Sequence, residues 1–396
     1  MSRVLALVLA TALFGGATTP GCGGSEKPVK TSKKKAKQKD ARALLSEARD
    51  EAKAGEVDAA DEAYREAYEL TPEFDILEER VDFLIHAGRA TRAQAAAKVY
   101  YDANATDMKG YSLYCETLLA GGKGQEALDV AESIIGLNGE DPIGHEKRGR
   151  ALLLLDRNEE ALDELRKAVS LEPQHAKYHL ALGQALHKLG KVDEAALEFR
   201  AALKRAPEDA DVHVYLGMAL RDQSELDESL SYLEKALEYD PRNARAYFEL
   251  GLLYNRKGKQ SDAEVALSKA VQLAPNESLF WYAYGEIYRL QERFDDAISA
   301  YRKAVDLDPP YPKAMAKLGL MLVERKQYDE AEAILIPAIR RAPKAAANYF
   351  HLAGVYAAQK KSKLAAENYE TYLELAARND PDRETAKRAL RALKGR

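Results

Sequence analysis

Two cysteines, one tryptophan and five methionines are spread over 396 residues. Cys22 and Cys115 stand in unrelated contexts, so the chain has no disulfide framework to staple a small fold. Long hydrophobic runs are also missing. The longest early one, Val4 to Phe14, has 11 residues, about half of the roughly 20 that a membrane-spanning helix needs. Proline (14) and glycine (24) are sparse for this length and aromatic residues make up 8%. Alanine, leucine, glutamate, lysine and arginine dominate instead, a composition that disfavours sheets and predicts an all-α fold.

The chain also lacks any segment in which catalytic residue types converge. No Ser-His-Asp set, paired carboxylates or zinc-ligand spacing stands out, and the expectation is a protein without enzymatic activity, metal or cofactor. Gly121-Gly122-Lys123-Gly124 has the look of a phosphate loop, but no Ser or Thr follows the lysine and no strand precedes it, so it reads as a turn. His145, His179 and His213 recur at one spacing. The same place holds Tyr247, Trp281, Met315 and Tyr349 further on, which makes it a bulky packing position rather than a metal site.

Charge is divided unevenly. The first 39 residues carry eight Lys or Arg against one Glu, leaving 51 basic and 63 acidic residues in the rest. An acidic body on a basic leader argues against nucleic acid as its partner.

What the chain has in abundance is a period. Glycines fall at 149, 183, 217, 251, 285 and 319, each 34 residues after the last, and prolines at 173, 207, 241, 275, 309 and 343, each 24 after a glycine. Small residues follow each glycine by 12 and by 19 positions, and a large one (Leu165, Phe199, Leu233, Leu267, Tyr301, Leu335) by 16. Such spacing predicts two antiparallel helices per unit. The glycine admits a close neighbour, the large residue fills the core, and the proline ends the second helix. A unit of this size buries its apolar face only against the next, which predicts a solenoid.

The pattern Trp281-x-x-Tyr284-Gly285-x-x-Tyr288, with Ala297, Tyr301, Ala304 and Pro309 after it, resembles the tetratricopeptide repeat, whose 34-residue signature is well defined. The resemblance implies a right-handed superhelix of antiparallel helix pairs, with about seven clear repeats over 142–379. Three degenerate ones precede them over 41–141, where Val81 and Cys115 replace the glycine, and a capping helix follows over 380–396. It further implies that first helices line a concave groove that binds partner peptides or helices. Projecting the helical period from each glycine places Lys188, Arg221, Phe248, Asn255, Arg256, Tyr282, Arg289 and Phe350 in that groove, as basic tips beside aromatic platforms suited to an acidic, aromatic peptide.

At the other end, Arg3, the apolar run and the small residues Gly15, Gly16 and Ala17 predict a signal peptide over 1–21. Gly21-Cys22 then resembles a bacterial lipoprotein box, which implies cleavage before Cys22 and its acylation. Residues 22–40 become a lipidated, basic, flexible tether. These resemblances together imply a lipid-anchored scaffold on the periplasmic side of the outer membrane, similar to the tetratricopeptide lipoproteins of pilus, secretion or outer-membrane assembly. The alternatives are a soluble periplasmic or secreted protein and, in function, a glycan or small-ligand binding module.

Overall fold

The computed structural model describes residues 29–307 and 311–395, with side chains from residue 40 onward. The expected signal peptide and Cys22 lie outside the described residues. Every regular element among the described residues is a helix, α1 to α21. The chain divides into two compact units that meet at Arg80 and Val81.

In the first unit, α1 (Val29–Ala54) and α2 (Val57–Leu70) form an antiparallel pair. Ala41 and Ala48 of α1 and Ala60, Ala63, Tyr64 and Ala67 of α2 are buried. The pair is closed by Arg49, which grips Glu79 at 2.7 and 2.8 Å, while Tyr64 donates to the same carboxylate at 2.9 Å. α1 starts at Val29, inside the stretch expected to be a flexible tether. Beyond Pro28 the residues are mostly Lys, Ala and Gln, all good helix formers, with no glycine or proline to stop a helix growing back from Asp40.

The second unit alternates first helices of 13 residues with second helices of 13 or 14, from α5 (Met108–Ala120) and α6 (Gly124–Leu137) through α7 (Pro142–Leu154), α8 (Asn158–Leu171), α9 (Ala176–Lys188), α10 (Val192–Arg205), α11 (Ala210–Asp222) and α12 (Leu226–Tyr239). The series continues with α13 (Ala244–Arg256), α14 (Gln260–Leu273), α15 (Ser278–Leu290), α16 (Phe294–Asp306), α17 (Pro312–Glu324), α18 (Tyr328–Arg341), α19 (Ala346–Ala358) and α20 (Ser362–Leu375). α3 (Phe74–His86) and α4 (Ala90–Ala103) occupy the stretch before them. α18 runs through Pro337, and α21 (Arg383–Lys394) packs on α20 with Ala386 buried.

Three devices set the repeat. The glycine of each first helix meets the large residue of the second: a methyl group on Gly183 would lie 2.5 Å from Phe199 Cε1, and one on Gly251 2.5 Å from Leu267 Cγ. At the turn between the two helices the backbone takes a positive φ, at Gly122, Gly190 and Gly258 but equally at Asp156, Ser224, Glu292, Lys326 and Lys360. The third device joins one repeat to the next. The carbonyl of the helix-ending proline accepts a hydrogen bond from the side chain six residues on: His179 Nε2 to Pro173 (3.0 Å), His213 Nε2 to Pro207 (2.9 Å), Trp281 Nε1 to Pro275 (2.8 Å) and Tyr349 OH to Pro343 (3.1 Å). The histidine row therefore pins the loop between repeats. Its Nδ1 atoms at 145 and 179 lie 2.6 Å from Glu164 and Glu198.

Buried apolar clusters span neighbouring repeats only, one running from Leu162 to Leu220, the next from Val214 to Ala266, then Phe248 to Ile287 and Ala297 to Ala365. Each repeat thus depends on its neighbours for its core, as in a one-dimensional stack.

Candidate peptide-binding groove

First helices contact each other from one repeat to the next: α5 with α7, α7 with α9, α11 with α13 and α17 with α19. This closer approach puts them on the inner side of the curve. Arg150 bonding Glu116 34 residues earlier shows which face points inward, because both residues directly follow the glycine position of their repeats. Successive repeats place Gln184, Met218, Leu252, Glu286, Leu320 and Gly354 there.

The inner face falls into two stretches. Toward the N-terminal side it is charged and self-paired. Glu116 accepts from Arg150 through both oxygens at 2.8 Å and also from Lys147, and Glu146 closes the cluster on Arg150 at 3.0 Å and Lys147 at 3.2 Å. Burial pushes the Glu116 carboxyl up, but the charges of Lys147 and Arg150 outweigh it and hold the group well below the usual carboxylate range. The buried thiol of Cys115 lies beside this cluster, donating to the Ala127 carbonyl at 3.4 Å, and burial pushes its pKa up to about 12. Burial pushes the Asp82 carboxyl on α3 up, against the opposing charge of Lys177.

The basic residues singled out by the sequence are bound as well. Lys188 donates to the Leu153 carbonyl (2.5 Å) and Asp156 (2.9 Å) of the preceding repeat. Arg221 bonds Asp222 at 3.0 Å and the buried Glu249, while His187 reaches Asp222 at 2.8 Å. Arg256 donates to the Arg221 carbonyl (2.8 Å) and Ser224 (3.0 Å). Arg289 holds Glu286 at 3.0 Å, and Tyr301 donates to the same carboxylate. The row of basic tips is therefore a chain of inter-repeat and local fasteners, each cation already facing an acceptor.

The aromatic residues divide. Phe248 is 4% exposed and stacks on Phe280 at 4.5 Å, so it is core and offers no platform to the groove. Its position faces the seam between adjacent first helices, which projecting a single isolated helix cannot reveal. Phe350 is half-buried against Tyr372 (5.1 Å) and Tyr369 (5.9 Å) and belongs to the cluster that closes the array. Tyr282 stays half-buried beside Tyr311 at 4.9 Å, its hydroxyl pushed up to about 12 first by burial and then by Glu286. Asn255 is half-buried on the same helix as Arg256.

Toward the C-terminal side the inner face turns apolar. Leu252, Tyr282, Leu320, Val323 and Ala357 are half-buried, and a methyl group on Gly354 would meet nothing within 4 Å. Lys317, 3.9 Å from Glu286, borders this stretch together with His351, whose pKa is lowered by burial and by Lys317 against the pull of Asp382. Of this plainer surface the projection from the sequence named only Tyr282, although Val323 shares the register of Arg221, Asn255 and Arg289, four residues after the glycine.

Among the described residues no three His, Cys, Asp or Glu side chains gather where they could hold a metal ion, and no helix is long and apolar enough to cross a membrane. The Gly121–Gly124 stretch is the α5–α6 turn, with Gly122 at φ 70° and Lys123 donating to Gln94 at 3.0 Å.

The model of the tetratricopeptide repeat matches residues 116–176, 147–210 and 214–278, and that of the middle TPR-like domain of cilia and flagella-associated protein 70 matches 271–376. The chain carries tetratricopeptide repeats. In solved structures the repeat array is similar to a chain of the APC/C hetero-tetramer Cut9-Hcn1, with a TM-score of 0.59 at 17% identity over 84% of this chain. It spans 58% of the length of that chain. Yeast Tom70 gives 0.51 at 16% identity, covering 91% of this chain and 96% of that one, and the human IFIT1 dimer with PPP-AAAA gives 0.53 at 18%, covering 83% and 89%. At these identities the likeness is one of fold, an all-α tetratricopeptide solenoid. Comparison of the sequence with curated proteins returns no match.

Proposed function

We propose that this protein is a non-enzymatic interaction scaffold whose repeat array binds a partner peptide or helix on its inner face, and that the apolar stretch from Leu252 to Ala357 is the main contact. The observation that carries this reading is the contrast along the groove. On the N-terminal side the charges are paired with one another, whereas Leu320 is half-buried outside the core clusters, next to Val323 at the edge of one, and the space beside Gly354 is open. Apolar surface of this kind, rimmed by Lys317, Arg289 and His351, is what a partner's side chains desolvate on binding.

The scaffold is further proposed to work in the bacterial cell envelope, held to the outer membrane on its periplasmic side by acylation of Cys22, in the assembly of a pilus, secretion or outer-membrane complex. The apolar run before Cys22 and the Gly21-Cys22 pair support the anchor. With more than one acyl chain such an anchor is stable, since each buried CH₂ contributes about 0.8 kcal/mol.

Charge reversal at Arg221, Arg256 or Arg289 would test folding as much as binding, because these residues fasten repeats together. A photo-crosslinking amino acid at Leu320 is the cleaner probe in cells, with Glu159 on the second helix α8 as control. A discrete protein adduct specific to position 320 is expected. Identical adducts at both positions, or none at 320, would reject the inner face as the binding surface. Mass spectrometry of the N-terminus reads the anchor separately, and an unmodified Cys22 would remove it.

A further inference from the structure

On the side away from the inner groove, the surfaces of α13, α14 and α15 enclose an open groove of about 840 Å³. Its walls carry the half-buried rings of Tyr247, Tyr254 and Tyr284, and Val265 stands on its edge 72% exposed. Leu197, two repeats earlier and in the same register of its second helix, is 64% exposed beside a smaller groove of about 310 Å³. Most other repeats place a polar or small residue there: Asp163, Ser231, Ser299, Ala333 and Glu367. An apolar residue left in water at this position is thus a local choice and not a demand of the repeat.

We propose that the groove along α14 binds an extended, proline-rich segment of a partner protein, with an arginine or lysine of that segment set against Asp262. Three features of the site converge on this chemistry. Tyr247 and Tyr254 lie seven residues apart on α13, about 10.5 Å along its axis, close to the roughly 9.3 Å that three residues of a polyproline II helix span. Two rings at that separation along one groove suit prolines three residues apart. The hydroxyls supply the second feature. Among the described residues neither Tyr247 nor Tyr254 has a hydrogen-bond partner for its OH. A polyproline II segment has no internal hydrogen bonds and presents free carbonyls to such donors. A helical partner has already used its carbonyls, and an added strand would need a sheet edge that an all-helical surface does not have.

Charge gives the third feature and the direction. Asp262, exposed and without an ion pair, sits at the Tyr254 end of the groove, where burial first and then the charges of Glu234 and Asp262 push the Tyr254 hydroxyl up. Glu264 beside it is already held by Arg293 and Gln291 at 2.8 and 2.9 Å. Lys269 lies further along α14, toward the Tyr247 end. At the Tyr254 end Lys257 is held by Asp227, and Asp262 and Glu234 outnumber Lys259, which lies 6.0 Å from the Tyr254 ring. A cationic residue of the partner is therefore drawn to this end rather than to that of Lys269. Tyr284, whose oxygen accepts from Tyr288 at 2.5 Å, keeps its own proton for the ligand on the opposite wall.

The test uses the full chain and a fluorescein-labelled peptide with two prolines three residues apart and one flanking arginine. Two control peptides replace both prolines by alanine or the arginine by glutamate. Saturable binding of the first peptide alone is expected, with affinity lowered about tenfold by Val265→Asp and by Asp262→Lys, and lowered less by Tyr247→Phe with Tyr254→Phe. Val265 and Asp262 are exposed, so these variants keep the fold, which circular dichroism checks. A Leu320→Asp change in the inner groove should leave this affinity untouched, separating the two surfaces. Equal binding of the alanine peptide, no binding at all, or indifference to Asp262→Lys would overturn the proposal. So would sedimentation showing that Val265→Asp dissolves a dimer without altering peptide binding, since the occupant would then be a second copy of the chain.

Discussion

The backbone of Gly285 runs directly over the ring of Tyr301, so close that a methyl group on the glycine would lie 2.6 Å from Tyr301 Cε1. Alanine is the better helix former by about 1 kcal/mol, yet here it would have to move a fully buried ring whose hydroxyl is tied to Glu286. Overpacking of this kind costs about 1–3 kcal/mol. Gly285→Ala and Gly183→Ala are therefore expected to lower the urea midpoint. At Gly354, where a methyl group meets nothing, the same substitution should raise it. Urea titrations of the three variants check this; a common sign at all three would contradict the packing account.

The turn between helices offers a second contrast. Lys326 and Glu292 hold φ values of 59° and 61°, where Gly258 holds 73°. A residue with a Cβ pays roughly 1–2 kcal/mol in the left-handed region, partly offset by the greater entropy that glycine loses on folding. Lys326→Gly is expected to stabilise by about 0.5 kcal/mol and Gly258→Ala to destabilise by about 1 kcal/mol. Thermal melts of the pair measure the difference, and an unchanged Gly258→Ala melt would argue against strain at this turn.

Glu116 sits against Lys147 and Arg150, and Glu116→Gln would leave two cations facing one carboxylate, Glu146. The loss should be about 2 kcal/mol, below the figure for a fully buried pair because the carboxylate keeps some contact with water. The folded-state pKa of Glu116 is depressed. Its contribution is thus complete above the unfolded carboxyl value of about 4.3 and is lost as pH falls through the folded value. The stability gap between wild type and Glu116→Gln should be wide at pH 7 and narrow progressively below pH 4. A gap independent of pH would show that the cluster does not act through its charge.

Cys115 is fully buried, with its thiol pushed up to about 12 by burial. Since the thiolate is the reactive form, Cys115 should resist a disulfide reagent at pH 8 in the native protein and react once urea unfolds the array. Rapid labelling of Cys115 in the native state would mean that α5 and α6 open locally.

The six glycines, the large residues 16 positions later and the prolines marked the repeat without any coordinates, because each answers a need that recurs in every unit and so repeats in the sequence. The site was legible only in outline. The period placed Arg221, Arg256 and Tyr282 on the right helices, but it could not show that the arginines were already bound. Their acceptors, Glu249, Ser224 and the Arg221 carbonyl, come from the neighbouring repeat or its turn. Phe248 escaped for the same reason, since the ring that covers it, Phe280, is 32 residues away and belongs to the next first helix.

The sequence by itself determined the all-helical fold, the length of each unit and the order of its helices, since local propensity and the near-neighbour packing of Gly183 on Phe199 suffice for those. The tertiary structure decided which side chains remain free for a partner. That depends on the distance between consecutive repeats, where a carboxylate from one unit either reaches the cation of the next, as Glu116 reaches Arg150, or leaves the surface open, as beside Gly354.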